Sequence, residues 1–211
     1  MHRFIIALLS TVSLVGLVGA AQAADLVLDT PVPEVAADTS GDWDGIYAGI
    51  FAGSLWGEAT SPVDFDLSGY LLGLNLGANF TLQEGLVVGV VGDLAWSNAT
   101  DEEVFLPPSG FDIDWVGSVR GRVGFDGGAF MPYLTAGVAF ANGVLYDNVG
   151  DEVDSNTHFG WTAGLGVEFK ATEDVSLDLA YRYSDYGAQS YGVTDWEFTT
   201  HQVTAGVNWR F

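Results

Sequence analysis

The feature that most constrains this chain is an alternation of residue types with a period of two, returning from Trp43 to the last residue. In SGYLLGLNLGANFTL, Tyr70, Leu72, Leu74, Leu76, Ala78, Phe80 and Leu82 share one face, and Gly69, Leu71, Gly73, Asn75, Gly77, Asn79 and Thr81 share the other. Successive side chains of an extended chain point to opposite sides, so this pattern predicts a strand with one apolar face and one small or polar face. Leu86, Val88, Val90, Leu94 and Trp96 oppose Asp93 and Ser97 in the same way, and Leu134, Ala136, Val138 and Phe140 oppose Thr135, Gly137 and Ala139. Further on, Phe159, Trp161, Ala163, Leu165, Val167 and Phe169 oppose Gly160, Thr162, Gly164, Gly166, Glu168 and Lys170. Val175, Leu177, Leu179, Tyr181 and Tyr183 face away from Asp178 and Arg182; Val203, Ala205, Val207, Trp209 and Phe211 face away from Gln202, Thr204, Asn208 and Arg210. Together with WVGSVRGRVGF and a first strand near Trp43 to Leu55, these segments make eight predicted strands. In the first strand the register stays open, because both Tyr47, Phe51, Leu55 and Ile46, Ile50, Trp56 could form the apolar face. The uncharged run from Gly127 to Tyr146 has the length of a spanning helix, but its glycines, Pro132 and its period of two favour a strand.

The links between strands alternate in length. QEG after Leu82, DGGAF after Phe125 and ATED after Phe169 are turn-like, whereas the stretches near 56–66, 98–112, 145–156 and 184–199 are long and acidic. Short turns on one side and long loops on the other describe an up-and-down antiparallel barrel in an outer membrane, with periplasmic turns and extracellular loops. Composition agrees. The chain is 48% hydrophobic and carries 28 glycines but only 16% charged residues, against about 25% in soluble domains, so much of its surface is not built to meet water.

The first residues read as an export signal: a basic start at His2 and Arg3, an apolar run from Phe4 to Gly19, and an A-x-A pattern at Ala21 to Ala23. Residues 1–23 are the expected signal peptide, 24–42 a proline-containing periplasmic linker, and 43–211 the barrel. Removing Arg3 with the leader leaves five basic residues against 28 acidic ones, a formal charge of −23. Nucleic acid is excluded as a partner, because phosphate binding needs a cationic surface. No cysteine is present, which rules out disulfides, thiol nucleophiles and thiolate metal sites.

The scarce cations are informative. In WVGSVRGRVGF, Trp115, Gly117, Val119, Gly121, Val123 and Phe125 share the apolar face, so Arg120 and Arg122 point together to the other side, as do Lys170, Arg182 and Arg210 in their strands. A register shifted by one would put Arg120 and Arg122 in lipid, at about 2–4 kcal/mol each near the midplane. An eight-stranded interior is narrow enough to be filled by side chains, so inward cations need inward acids. The expected core cluster comprises Asp93, Arg120, Arg122, Asp178, Arg182 and Glu168, with Lys170 and Arg210 at the periplasmic rim. Outward aromatics form two expected interface belts: Trp96, Trp115, Phe159, Trp161 and Tyr183 toward the long loops, and Phe80, Phe125, Phe169, Trp209 and Phe211 toward the short turns.

DWDGIYAGIFAG, VVGVVGDLAWS, WVGSVRGRVGF, MPYLTAGVAFA, HFGWTAGLGVEF, VSLDLAYRYSDYG and the ending VNWRF resemble, in order and spacing, the small alphaproteobacterial outer-membrane proteins known as the outer-membrane β-barrel or porin family. The resemblance covers nearly the whole mature chain. It implies an eight-stranded barrel inserted by the barrel-assembly machinery, with Phe211 as the assembly signal, contacts with outer-membrane lipid and lipopolysaccharide, and a role in envelope integrity and surface interaction. It supplies no catalytic residues and no cofactor.

Two other functions are open to such a sequence. A small pore, or a loop site for a cation or haem-like ligand, is motivated by Asp101, Glu102 and Glu103 and by Asp147, Asp151, Glu152 and Asp154. DNVGDEVDS lacks the full calcium-loop pattern, so no metal site is assigned there. An enzyme would need His158 or His201, expected near the outer rim, to converge with a serine such as Ser155 or Ser190. No local spacing promises that, and no catalytic residue is assigned.

Overall fold

A computed structural model describes residues 43–60, 64–82, 85–101, 111–146, 152–187, 189–191 and 194–211. The leader and the linker, residues 1–42, lie outside the described residues. The alternating segments form long strands: β1 (Gly45–Thr60), β2 (Asp64–Thr81), β3 (Leu86–Asp101), β4 (Phe111–Phe125), β5 (Phe130–Tyr146), β6 (Glu152–Lys170) and β7 (Val175–Asp185). Two short strands follow, β8 (Gln189–Tyr191) and β9 (Thr194–Trp196), which pair only with each other, and then β10 (Phe198–Arg210). The eight long strands close in the order β1-β10-β7-β6-β5-β4-β3-β2, every pair antiparallel.

Two expectations about the connections change. The link expected to be long around 56–66 shrinks to 61–63, because β1 and β2 stay paired up to Thr60 and Asp64. Ladder hydrogen bonds continue through polar sequence beyond the apolar band, so hydropathy alone ends the strands too early. The stretch 184–199 likewise contains the β8–β9 hairpin.

The open register of β1 is resolved. Tyr47, Phe51 and Leu55 are buried in the barrel, while Ile46, Ile50 and Trp56 are exposed on its outer face. The inward rings fit because glycines face them: the Tyr47 ring lies where a side chain on Gly77 would stand, and Tyr133 does the same over Gly166. Outside, Leu72, Leu74, Leu76, Val90, Val119, Leu134, Val138, Leu165 and Leu179 are all exposed, giving the wall the apolar band that hydrocarbon requires. Trp96, Trp115, Trp161, Phe125, Phe169 and Trp209 are exposed on the outer face, and Tyr183 packs there against Trp161. The side chain of Phe211 is exposed, and its backbone N–H donates to the Ile46 carbonyl at 2.9 Å.

The inward faces are less uniformly polar than the sequence suggested. Toward the long-link end, Phe51, Leu55, Leu67, Leu71, Ala95, Ala99, Ile113, Val116, Ala139, Ala141, Tyr186 and Phe198 form one buried apolar cluster inside the barrel. Polar groups dominate only below it.

Candidate functional site

The residues expected to form one ionic cluster separate into two networks. In the upper one, Asp93 on β3 accepts from Arg120 Nη2 at 2.6 Å and from Arg182 Nη1 at 2.8 and 3.0 Å. Ser118, directly opposite Asp93 in the β3–β4 register, donates to its Oδ2 at 2.6 Å and accepts from Arg120 Nε at 2.8 Å and Arg182 Nη1 at 3.0 Å. Arg120 also reaches Thr135 Oγ1 at 3.2 Å. β3 and β7 lie on opposite sides of the ring, so the Asp93–Arg182 pair spans the barrel.

The lower network centres on Glu168, which is fully buried. Its carboxylate accepts from Arg122 Nη2 at 2.5 Å, Ser176 Oγ at 2.5 Å and Asn208 Nδ2 at 3.2 Å, and Arg210 Nη2 stands 3.7 Å away. The Arg122 guanidinium lies 3.7 Å from the centroid of the Tyr133 ring and donates to the Tyr47 hydroxyl at 3.3 Å, a cation stacked on an aromatic face. Asp178 does not join the ion pairs as expected. It sits directly opposite Glu168 in the β6–β7 register, where two charged carboxylates repel, and it accepts instead from the Tyr133 hydroxyl at 2.6 Å.

The rim is built around a residue that sequence reasoning did not single out. Trp43 was expected to begin the first strand; instead the chain turns at Gly45, whose φ of +112° favours glycine, and Trp43 is fully buried beside Val87 and Met131. Lys170 Nζ and the Arg210 guanidinium each lie 4.9 Å from its ring, and its Nε1–H donates to Asp126 Oδ1 at 3.1 Å. The neighbouring Asp44 carboxylate accepts from the backbone N–H of Thr81. Lys170 and Arg210 thus do lie at the short-turn end, clamped about an indole. The signal was available in principle: a lone tryptophan just before the alternation starts has no strand face to occupy.

The two histidines do not converge. His158 is buried inside, edge-on to Phe198 at 4.9 Å. His201 lies on the outer face, where it stacks on Trp56 and meets the Tyr181 hydroxyl through Nδ1 at 2.7 Å. Ser155 is exposed; the side chain of Ser190 lies outside the described residues, as do those of Asp101, Glu102, Glu103, Asp147, Asp151, Glu152 and Asp154. Among the described residues no cluster of acids and histidines has the arrangement of a metal site.

The family model for the outer membrane protein beta-barrel domain matches residues 10–211. The chain belongs to that family. It is 34% identical over 151 residues to a 22 kDa outer membrane protein of Rhizobium leguminosarum bv. viciae, covering 69% of each chain. It is 36% identical over 144 residues to the 25 kDa outer-membrane immunogenic protein of Brucella abortus, covering 66% of this chain and 64%, somewhat under two thirds, of that relative. Among solved structures, Neisserial surface protein A superposes with a TM-score of 0.55 at 19% identity, over 78% of this chain and 97% of that one, a likeness of fold. The protein is therefore an outer-membrane β-barrel, and the apolar band of its outer wall is the surface that meets lipid.

Proposed function

We propose that this barrel is a closed structural component of the outer membrane, serving envelope integrity and surface interaction, rather than a pore or an enzyme. The observation that supports this reading is the run of buried side chains along the described part of its interior. Trp43 is buried at the short-turn mouth, the Glu168 and Asp93 networks lie in the interior, and the apolar cluster is buried toward the long links. One interior void, between Tyr47, Asn75, Arg120, Arg122 and Asp178, measures about 40 Å³, room for one or a few waters. His158 and His201 on opposite sides of the wall cannot share a nucleophile, which supports a non-enzymatic role. The last strand, β10, with Phe211 just after it, is proposed as the element taken up by the barrel-assembly machinery. Surface partners would meet the long links, whose acidic residues lie mostly outside the described ones.

Planar-bilayer recording of the refolded full chain tests the reading. Wild type is expected to show no steady open level, and Trp43→Ala only brief openings, because the ionic layer and the apolar cluster remain. A large, steady wild-type conductance would overturn the closed barrel in favour of a small porin.

A further inference from the structure

The outer wall holds a hydrogen-bonded pair that the closed-barrel reading does not use. The Tyr181 hydroxyl on β7 meets His201 Nδ1 on β10 at 2.7 Å. A phenol is a stronger acid than a neutral imidazole, so Tyr181 donates and the imidazole carries its hydrogen on Nε2, which has no partner among the described residues. The pair arises from register. His201 stands opposite Trp56 on β1 and Tyr183 on β7, three residues in a row across adjacent strands, so Tyr181, two positions from Tyr183, is its diagonal neighbour on the same face, within reach of an aromatic side chain. Trp56 stacks on the imidazole with centroids 5.8 Å apart and an interplanar angle of 11°, and Tyr183 packs edge-on at 5.2 Å, which holds the ring toward Tyr181.

The wall around the pair faces hydrocarbon. Leu165 and Val203 are the register partners of Tyr181, Leu179 shares its face, and all three are exposed on the outer surface. Tyr181 and His201 are half-buried among them, so acyl chains pass against the phenol and the imidazole alike. Taking an electron from a phenol makes its proton strongly acidic, and a base already hydrogen-bonded to the oxygen accepts that proton in the same step. In hydrocarbon an unbalanced charge is costly, which favours moving the electron and the proton together.

We propose that Tyr181 and His201 quench peroxyl radicals of the surrounding lipid. The Tyr181 O–H bond breaks: its electron passes to the peroxyl radical, its proton passes to His201 Nδ1, and the Nε2 proton leaves for the reduced peroxyl oxygen. A lipid hydroperoxide forms, the tyrosine is left as a neutral phenoxyl radical and the imidazole as its Nδ1–H tautomer, so no net charge is created in the wall. Coupling of a second peroxyl radical to the phenoxyl ring forms a C–O bond and ends the chain. The role is stoichiometric and belongs to the outer wall. It rests on the protein's place in the outer membrane and not on its being closed, so a conducting barrel would leave it intact.

The refolded full chain in vesicles of polyunsaturated phosphatidylcholine, oxidised by a lipid-soluble azo initiator, tests it, with hydroperoxide formation as the readout and heat-modified gel migration as the folding control. Wild type should suppress chain oxidation. Tyr181→Phe removes the O–H, and His201→Phe keeps a stacked ring but removes the base; each should lower the trapping rate about tenfold or more. Tyr70→Phe should leave the rate unchanged, because Tyr70 is exposed on the same outer surface but its hydroxyl has no imidazole beside it among the described residues. In wild type alone, exchange into heavy water should slow trapping, since a proton moves with the electron. Equal rates for wild type and Tyr181→Phe, indifference to His201→Phe in folded protein, a loss with Tyr70→Phe as large as with Tyr181→Phe, or no effect of heavy water would each overturn the proposal.

Discussion

The two halves of the barrel interior are lined by different chemistry. Toward the extracellular end, Leu55, Leu67, Leu71, Ile113 and Val116 pack with Phe51, Tyr186 and Phe198 as the core of a soluble protein would. Toward the periplasmic end, charged groups are held by Asp93 and Glu168. The apolar half is governed by packing, where each missing methylene costs a modest amount and neighbours relax. In the ionic half the penalty falls on the group left behind, because a charge stripped of its partner stays buried. The interior therefore combines a tolerant half with an intolerant one, and the intolerant one also fixes register: an ion pair spanning the barrel, such as Asp93–Arg182, forms only if β3 and β7 are both correctly placed.

Three substitutions would break or sharpen that contrast, each read from the urea unfolding midpoint and slope of the refolded barrel in detergent. Asp93→Ala should have the largest effect, about 3–5 kcal/mol, since it leaves both Arg120 and Arg182 buried without their acid; a loss under about 1 kcal/mol would mean that water already reaches the pair. Leu55→Ala should cost about 3 kcal/mol, as for other fully buried leucines. If it matched or exceeded Asp93→Ala, the apolar half rather than the ionic one would dominate stability. Ser118→Ala should be the mildest, about 1–2 kcal/mol, because the direct ion pairs survive and only the bridging hydroxyl is lost.

The same contrast explains what could be read in advance. Arg120, Arg122, Lys170, Arg182 and Arg210 could be assigned inward because alternation leaves a strand residue only two sides and hydrocarbon forbids one of them. Their partners could not be assigned. Asp93 and Ser118 are 25 residues apart and Asp93 and Arg182 are 89 apart; shear and strand order decide such meetings, and neither is encoded in a local period. Asp178 shows the limit clearly. Its inward side was legible, but its position opposite Glu168, and hence its choice of Tyr133 over a guanidinium, depends on the β6–β7 register. The apolar cluster was missed for a related reason: an inward leucine and an outward leucine look alike in β1, where glycines and alanines make both faces plausible. The Trp56–His201–Tyr183 row is a cross-strand arrangement drawn from three separate segments, invisible to any window along the chain.

By itself, then, the sequence determined that the chain alternates, that its charges are too few for a water-facing surface, that its cations turn inward, and that it belongs in an outer membrane. These follow from short-range geometry and the cost of charge in lipid, both of which act residue by residue. The tertiary structure decided which face of β1 meets lipid, how the inward charges divide between Asp93 and Glu168, and that Trp43 folds under the mouth instead of entering the wall. Those outcomes depend on closure, because only a closed ring brings strands distant in sequence across a shared interior and sets the heights at which their side chains meet.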